Sequence, residues 1–185
     1  GVNALMYCMK TPDMSPCIQK LIESGINVNA IDYKHRNALF WGVIYNNIPG
    51  CQVLFQQPID DWHTPFIESV KNGKFEIVSL FLESGVDISI DKTDIYGKTA
   101  LMYSEQQYQY DIFKLLLQHN ADPNITDHEK RPILNWIMTA GNIRYLKGLL
   151  SYSKISIDYN HIDRDGYTAF SRARLYNRTE CLNYL

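Results

Sequence analysis

The sequence predicts an all-α solenoid of stacked helix pairs, and three observations predict it. Aligned on a helix-capping position, units begin at Asn3, Asn37, Thr64, Thr99, Pro132 and Thr168, with spacings of 34, 27, 35, 33 and 36 residues. Two positions after the cap stand Leu5, Leu39, Phe66, Leu101, Leu134 and Phe170, all large and apolar. Five positions after it stand Cys8, Gly42, Ser69, Ser104, Ile137 and Ala173, five of the six small, as two closely approaching helices require. A further apolar column, Leu21, Leu54, Phe81, Leu116, Leu149 and Leu185, follows in the second half of each unit. A period in this range marks a repeat array whose units bury their apolar faces only against one another.

The clearest unit runs from Asp94 to Asp122. Gly97 is a turn residue free to take positive φ. Thr99 is placed to cap a first helix with its hydroxyl. Leu101 is the buried residue of that helix. Ile112, Phe113, Leu115, Leu116 and Leu117 form the apolar side of a second helix. Asn120 stands where that helix ends in the left-handed conformation, as do Gly25 and Gly85 in other units. Gly73 and Gly141 fall between the two helices of their units. Thr64-Pro65 reads as a capping hydroxyl before a proline at the first helical position, and Ser15-Pro16 reads the same way for a second helix. First helices are therefore expected to start near each of the six caps.

These features resemble the ankyrin repeats, whose unit of about 33 residues is a β-turn followed by two antiparallel helices with a T-P-L-H-x-A signature. The matching stretches are Gly97-Lys98-Thr99-Ala100-Leu101, Gly166-Tyr167-Thr168-Ala169-Phe170 and Thr64-Pro65-Phe66-Ile67. The family's G-A-D-V-N turn is similar to Gly25-Ile26-Asn27-Val28-Asn29 and Asn120-Ala121-Asp122-Pro123-Asn124. The resemblance covers essentially the whole chain and implies one array over residues 1–185, an ankyrin-repeat solenoid of about six units with hairpin fingers, the first and last incomplete. Both ends look cut, so a segment of a longer array is expected; a short protein with degenerate caps is the alternative.

Departures from the family pattern carry expectations of their own. The family's histidine is replaced by Met6, Phe40, Ile67, Met102, Asn135 and Ser171, so its hydrogen-bond link between repeats should give way mostly to packing. The connection from Pro58 to Thr64 is about six residues short, which predicts a clipped finger; the stretch from Asp87 to Ile95 is two residues long, which predicts a protruding one. Ile137 is large in a small-residue column and should push its helices apart or reorient them.

Composition bounds the function. The chain has 185 residues, 18 Lys+Arg against 20 Asp+Glu and a formal net charge of −2, so nothing favours nucleic acid or an anionic membrane. No apolar run approaches the roughly 20 residues that cross a bilayer, and no membrane insertion is expected. Cys8, Cys17, Cys51 and Cys181 form no C-x-x-C pair, which suggests neither a zinc site nor a redox motif and favours a reduced, cytoplasmic setting. Gly97-Lys98-Thr99 lacks the earlier glycine of a phosphate-binding loop, Lys92 standing there instead. Four of the five histidines and the paired aspartates fall on turns, the fifth histidine on a helix end, and none has ligand spacing. No catalytic set, metal site or cofactor is expected.

One column rises above this background. Four positions after the cap stand Tyr7, Trp41, Glu68, Tyr103, Trp136 and Arg172, four of them aromatic. By the resemblance this position faces a concave groove, and equivalent positions of stacked repeats line up. A ladder of Tyr and Trp suits an interface; ordinary half-buried packing is the competing role. The finger tips are a second candidate surface, with Tyr33 and Arg36, Trp62, Tyr96, and His128 with Arg131 as candidate contacts. A solvated turn is the competing role there. The resemblance implies a non-catalytic scaffold that binds a partner protein; a monomer is expected. The alternative is the regulatory or targeting segment of a larger enzyme or pathogen effector. The turn asparagines Asn29, Asn124 and Asn160 also match the position that the family's hydroxylases modify.

Overall fold

A computed structural model describes residues 1–185. The chain contains twelve helices and no strand, in two compact units, Gly1–Ser89 and Ile90–Leu185. In the first unit, α1 (Ala4–Cys8) and α2 (Ser15–Glu23), α3 (Ala38–Ile44) and α4 (Ile48–Leu54), and α5 (His63–Lys71) and α6 (Phe75–Glu83) make three helix pairs. In the second, the pairs are α7 (Ala100–Gln106) with α8 (Tyr110–Gln118), α9 (Ile133–Ala140) with α10 (Ile143–Tyr152), and α11 (Ala169–Leu175) with α12 (Thr179–Tyr184). First helices stack on first helices and second on second: α1–α3–α5 and α2–α4–α6, then α7–α9–α11 and α8–α10–α12.

The repeating columns build the core. Leu5, Leu39 and Phe66 are fully buried, and Leu101 and Leu134 are nearly so. Leu54, Phe81, Leu116 and Leu149 bury the second helices. Leu21, Phe170 and Leu185 are not buried, because each belongs to a pair with a neighbouring pair on one side only. Gly42 shows why its column is small: a Cβ there would stand 2.3 Å from Met9 Cε and 2.7 Å from Cys51 Sγ. Ile137 is accommodated with no exposure.

Most caps fall where the sequence puts them. The side chains of Asn3, Asn37, Thr99 and Thr168 accept backbone N–H groups of α1, α3, α7 and α11. Two expectations are corrected. Helix α5 begins at His63, and the Thr64 N–H is met by Asp61 Oδ1 at 3.1 Å, so Thr64 lies inside the helix and does not cap it. Ser15 is likewise the first residue of α2, its hydroxyl donating to the Pro12 carbonyl at 2.8 Å within a preceding 3₁₀ turn. In both places an earlier polar group already satisfies the helix start. Gly25, Gly85 and Asn120 end second helices with positive φ, as expected.

Neighbouring turns are tied together by asparagine. Asn29 Nδ2 donates to Pro58 O at 2.8 Å, and its Oδ1 accepts the Asp60 N–H at 3.0 Å. Asn124 repeats both bonds, to Ser156 O and from the Asp158 N–H, each at 2.8 Å. In the lengthened connection Asp91 takes this place and accepts the Asp122 N–H at 2.8 Å. A carboxylate can only accept, so half of the link is lost. The missing family histidine is mostly replaced by buried Met6, Ile67 and Met102. Asn135 departs from that expectation: it is buried, and its Nδ2 donates to Asp163 Oδ2 of the next repeat at 3.3 Å.

Candidate functional site

Each finger is a short turn that begins at an aspartate. Asp32, Asp94, Asp127 and Asp163 stand five residues before the caps of α3, α7, α9 and α11. In each, one side-chain oxygen accepts two backbone N–H groups of its own turn: Lys34 and Arg36 for Asp32, Tyr96 and Lys98 for Asp94, Glu129 and Arg131 for Asp127, Asp165 and Tyr167 for Asp163. A left-handed residue closes each turn, glycine at Gly97 and Gly166 but a full side chain at His35 and Lys130.

The second oxygen of each aspartate reaches back to the helix. Asp32 Oδ2 accepts Trp41 Nε1 at 3.2 Å, and Asp127 Oδ2 accepts Trp136 Nε1 at 3.1 Å. Asp94 Oδ2 accepts the Tyr103 hydroxyl at 2.6 Å, and Asp163 Oδ2 pairs with Arg172 Nε. Three of the four aromatics of the column, Trp41, Tyr103 and Trp136, are therefore tethered to the fingers through aspartates. Sequence reasoning missed the aspartate column, although its constant offset from the cap was present to be read. The third repeat has buried Ile59 at this offset, and its clipped connection forms no such turn.

An arginine completes two of these clusters. Arg36 Nε and Nη2 meet Asp32 Oδ2 at 2.7 and 2.6 Å; Arg131 Nε and Nη2 meet Asp127 Oδ2 at 3.0 and 2.8 Å. The guanidinium also lies over the indole, 5.1 Å from the Trp41 centroid and 5.0 Å from that of Trp136. Lys10 approaches Trp41 at 5.1 Å, and Lys98 approaches Trp136 at 4.5 Å. Such cation–π contacts orient the ring and the cation together. Burial alone would raise the Asp32 carboxyl; the Arg36 side chain, the Arg36 and Lys34 N–H groups and Trp41 outweigh it and hold it well below the usual carboxylate range. Asp163 is held down in the same way, burial being opposed by Arg172 and by the Tyr167 and Asp165 N–H groups.

The sequence-predicted residues thus fall into two groups. Trp41 is 9% and Tyr103 7% exposed, less than a groove ladder requires; Trp136 and Trp62 are half-buried. Trp62 stacks on Phe55 at 5.3 Å. Tyr7, Tyr33 and Tyr96 are 59%, 75% and 60% exposed, and His128 is exposed as well. Tyr7 lies 6.5 Å from Trp41, and Trp41 stacks on Tyr45 at 6.0 Å. In the second unit a pocket of about 410 Å³ opens beside Trp136, lined by Glu105, Arg131, Arg172, Tyr176 and Arg178 among others. Nothing in these clusters pairs a nucleophile with a base. Their geometry presents aromatic faces and fixed guanidinium groups.

Comparison with known proteins places this architecture. A family profile described as "Ankyrin repeats (3 copies)" matches residues 59–127 and 109–185. An ankyrin repeat protein of fowlpox virus is 40% identical over 62 residues, 34% of this chain and 9% of that protein. Mouse inversin is 41% identical over 61 residues, 33% of this chain and 6% of inversin. The chain thus spans less than a tenth of these relatives. The crystal structure of the ankyrin repeat domain of Bcl-3 superposes with a TM-score of 0.82 at 19% identity, over 95% of this chain and 81% of that one.

Proposed function

Because the chain belongs to the ankyrin-repeat family, we propose that it acts as a non-catalytic recognition scaffold, its six repeats working as one array that binds a partner protein. The observation that supports this reading is the set of aspartate-held side chains that stay accessible, Arg36, Arg131 and half-buried Trp136. Rigid, pre-oriented aromatic and arginine side chains lose little conformational freedom on binding, which is what interface anchors need. Exposed Tyr33, Tyr96 and His128 at the finger tips extend that surface. The proposal includes a monomeric, cytoplasmic protein; no helix is long and apolar enough to cross a membrane. The same surface would serve equally as the targeting segment of a larger enzyme or effector, since the matched relatives are many times longer than the matched stretch.

The test is capture of partners from a lysate with the chain as bait, followed by titration of each candidate. Variants Tyr7→Ala, Tyr33→Ala, Tyr96→Ala and Arg131→Ala should each keep the fold, and at least one should weaken a true partner by about 2 kcal/mol or more, the scale of an anchor residue. A partner that binds all four at full strength uses neither surface, and the reading fails.

A further inference from the structure

Arg178, an exposed side chain, is the one cation lining the pocket of the second unit that has no carboxylate partner. Arg131 is taken up by Asp127, and Arg172 by Asp163 and by Asp165 at 2.6 Å. Arg178 makes no ion pair. Its Nε donates to Thr139 O at 2.9 Å, which holds the side chain against the turn after α9. Gly141 makes that course possible. It sits at φ +75°, and a Cβ there would stand 2.6 Å from Arg178 Cδ. The Nη groups are left as unused, parallel donors, the fork that binds carboxylates bidentately.

The surroundings select among anions and neighbours. Trp136 and Tyr176 supply apolar faces in the same pocket, whose volume of about 410 Å³ suits one or two side chains. The acidic group in the lining, Glu105, is 4% exposed, and Asn142 hydrogen-bonds its carboxyl. Its carboxyl is turned away from solvent and already has a hydrogen-bond partner, so it does not itself bind Arg178. We propose that this pocket receives a carboxylate of a peptide or protein partner on the Arg178 guanidinium, with an adjoining apolar side chain against Trp136 and Tyr176. The inference deepens the recognition reading above and rests on it. Two sources share this chemistry, an Asp or Glu side chain and a chain terminus.

The experiment selects two random heptapeptide libraries against the whole chain, one amidated and one with free C-termini. Acidic residues beside an apolar one should be enriched in the amidated library if the side chain is the ligand. Enrichment confined to the free-acid library identifies the terminus. Selected peptides are then titrated by tryptophan fluorescence. Replacing the carboxylate by an amide should weaken binding at least tenfold. Arg178→Met, which keeps the apolar stem, should erase that difference while the thermal melt is preserved, and Arg178→Lys should restore part of it. Raising the salt from 50 to 500 mM should weaken the carboxylate peptides and leave the amides unchanged. An empty selection, selected peptides without acidic groups, or an unchanged carboxylate preference in Arg178→Met overturns the inference. If peptides bind and respond to Tyr176→Ala but not to charge, the carboxylate fails and the recognition reading stands. If they respond to no groove or finger variant, both fail.

Discussion

Asp127 accepts the indole N–H of Trp136, nine residues later, through the same oxygen that holds the Arg131 guanidinium. The carboxylate, 2% exposed, also accepts two backbone N–H groups of the finger on its other oxygen. One side chain thus fixes the turn, the arginine and the tryptophan together. Asp127→Ala should leave these donors short of partners and cost about 2–4 kcal/mol, within the range for breaking a part-buried charged network. Trp136→Phe removes the indole N–H and part of a half-buried ring system, so about 1–2 kcal/mol is expected. Urea unfolding midpoints check both; equal, small losses would show that the aspartate is not an organising group.

Asp91→Asn should stabilise the second unit. Asp91 stands where Asn29 and Asn124 make two-way bridges, but it can only accept. Burial pushes its carboxyl up, with the neighbouring Asp122 charge adding to the rise and the Asp122 N–H opposing it. An asparagine removes the charge and restores a donor. A gain of about 0.5–1.5 kcal/mol is expected, the net worth of one hydrogen bond. A lower melting temperature in Asp91→Asn would show that the longer connection does not bring a carbonyl within reach.

The pH profile follows from the same groups with opposite signs. Asp91 and Glu105 have raised pKa values, burial being the first cause of each. The folded state therefore binds their protons more tightly than the unfolded state, and stability rises as pH falls through their folded values, above the ordinary 3.8 and 4.5. Asp32 and Asp163 are depressed, so their contribution is complete above the ordinary 3.8 and lost as pH falls below it. On acidification from pH 7 the melting temperature should first hold or rise and then drop below about pH 4. Glu105→Gln should flatten the early part and leave the acid limb in place. A profile falling steadily from pH 7 in both proteins would contradict this assignment.

The fold was legible because burial repeats. Columns such as Leu39, Phe66 and Leu101 carry the same environment at nearly the same period, which a stacked repeat array requires and a single globular core does not. The tether was not legible for a chemical reason. An aspartate in a turn usually serves its own backbone, and the second role of Asp32 or Asp127 spans nine residues from turn to helix, a spacing that neither helix nor strand periodicity singles out. Thr64 misled for a related reason. Two capping groups, Asp61 and Thr64, compete for one helix start, and only geometry decides that Asp61 meets the Thr64 N–H. The exposure of Trp41 depended on Tyr45 and Lys10, which arrive from outside its column.

That covering of Trp41 decides how the first unit should be tested for binding. Truncating Trp41 removes a ring that is stacked on Tyr45 and bonded to Asp32, so Trp41→Ala should cost about 3–5 kcal/mol of stability. Any loss of binding in that variant would reflect the fold. Tyr7 avoids the problem. It lies beside Trp41, is 59% exposed, and no finger aspartate holds it. Tyr7→Ala should change stability by no more than about 0.5 kcal/mol, as for an ordinary surface residue, although it also leaves Lys10, 4.6 Å from the Tyr7 centroid, with one ring fewer. If the aromatic face of the first unit contacts a partner, the same substitution should weaken binding by about 2 kcal/mol. Thermal melts and titrations on Tyr7→Ala and on Tyr33→Ala separate the two surfaces. Full binding by Tyr7→Ala with loss in Tyr33→Ala assigns the contact to the finger, and the reverse assigns it to the helix face.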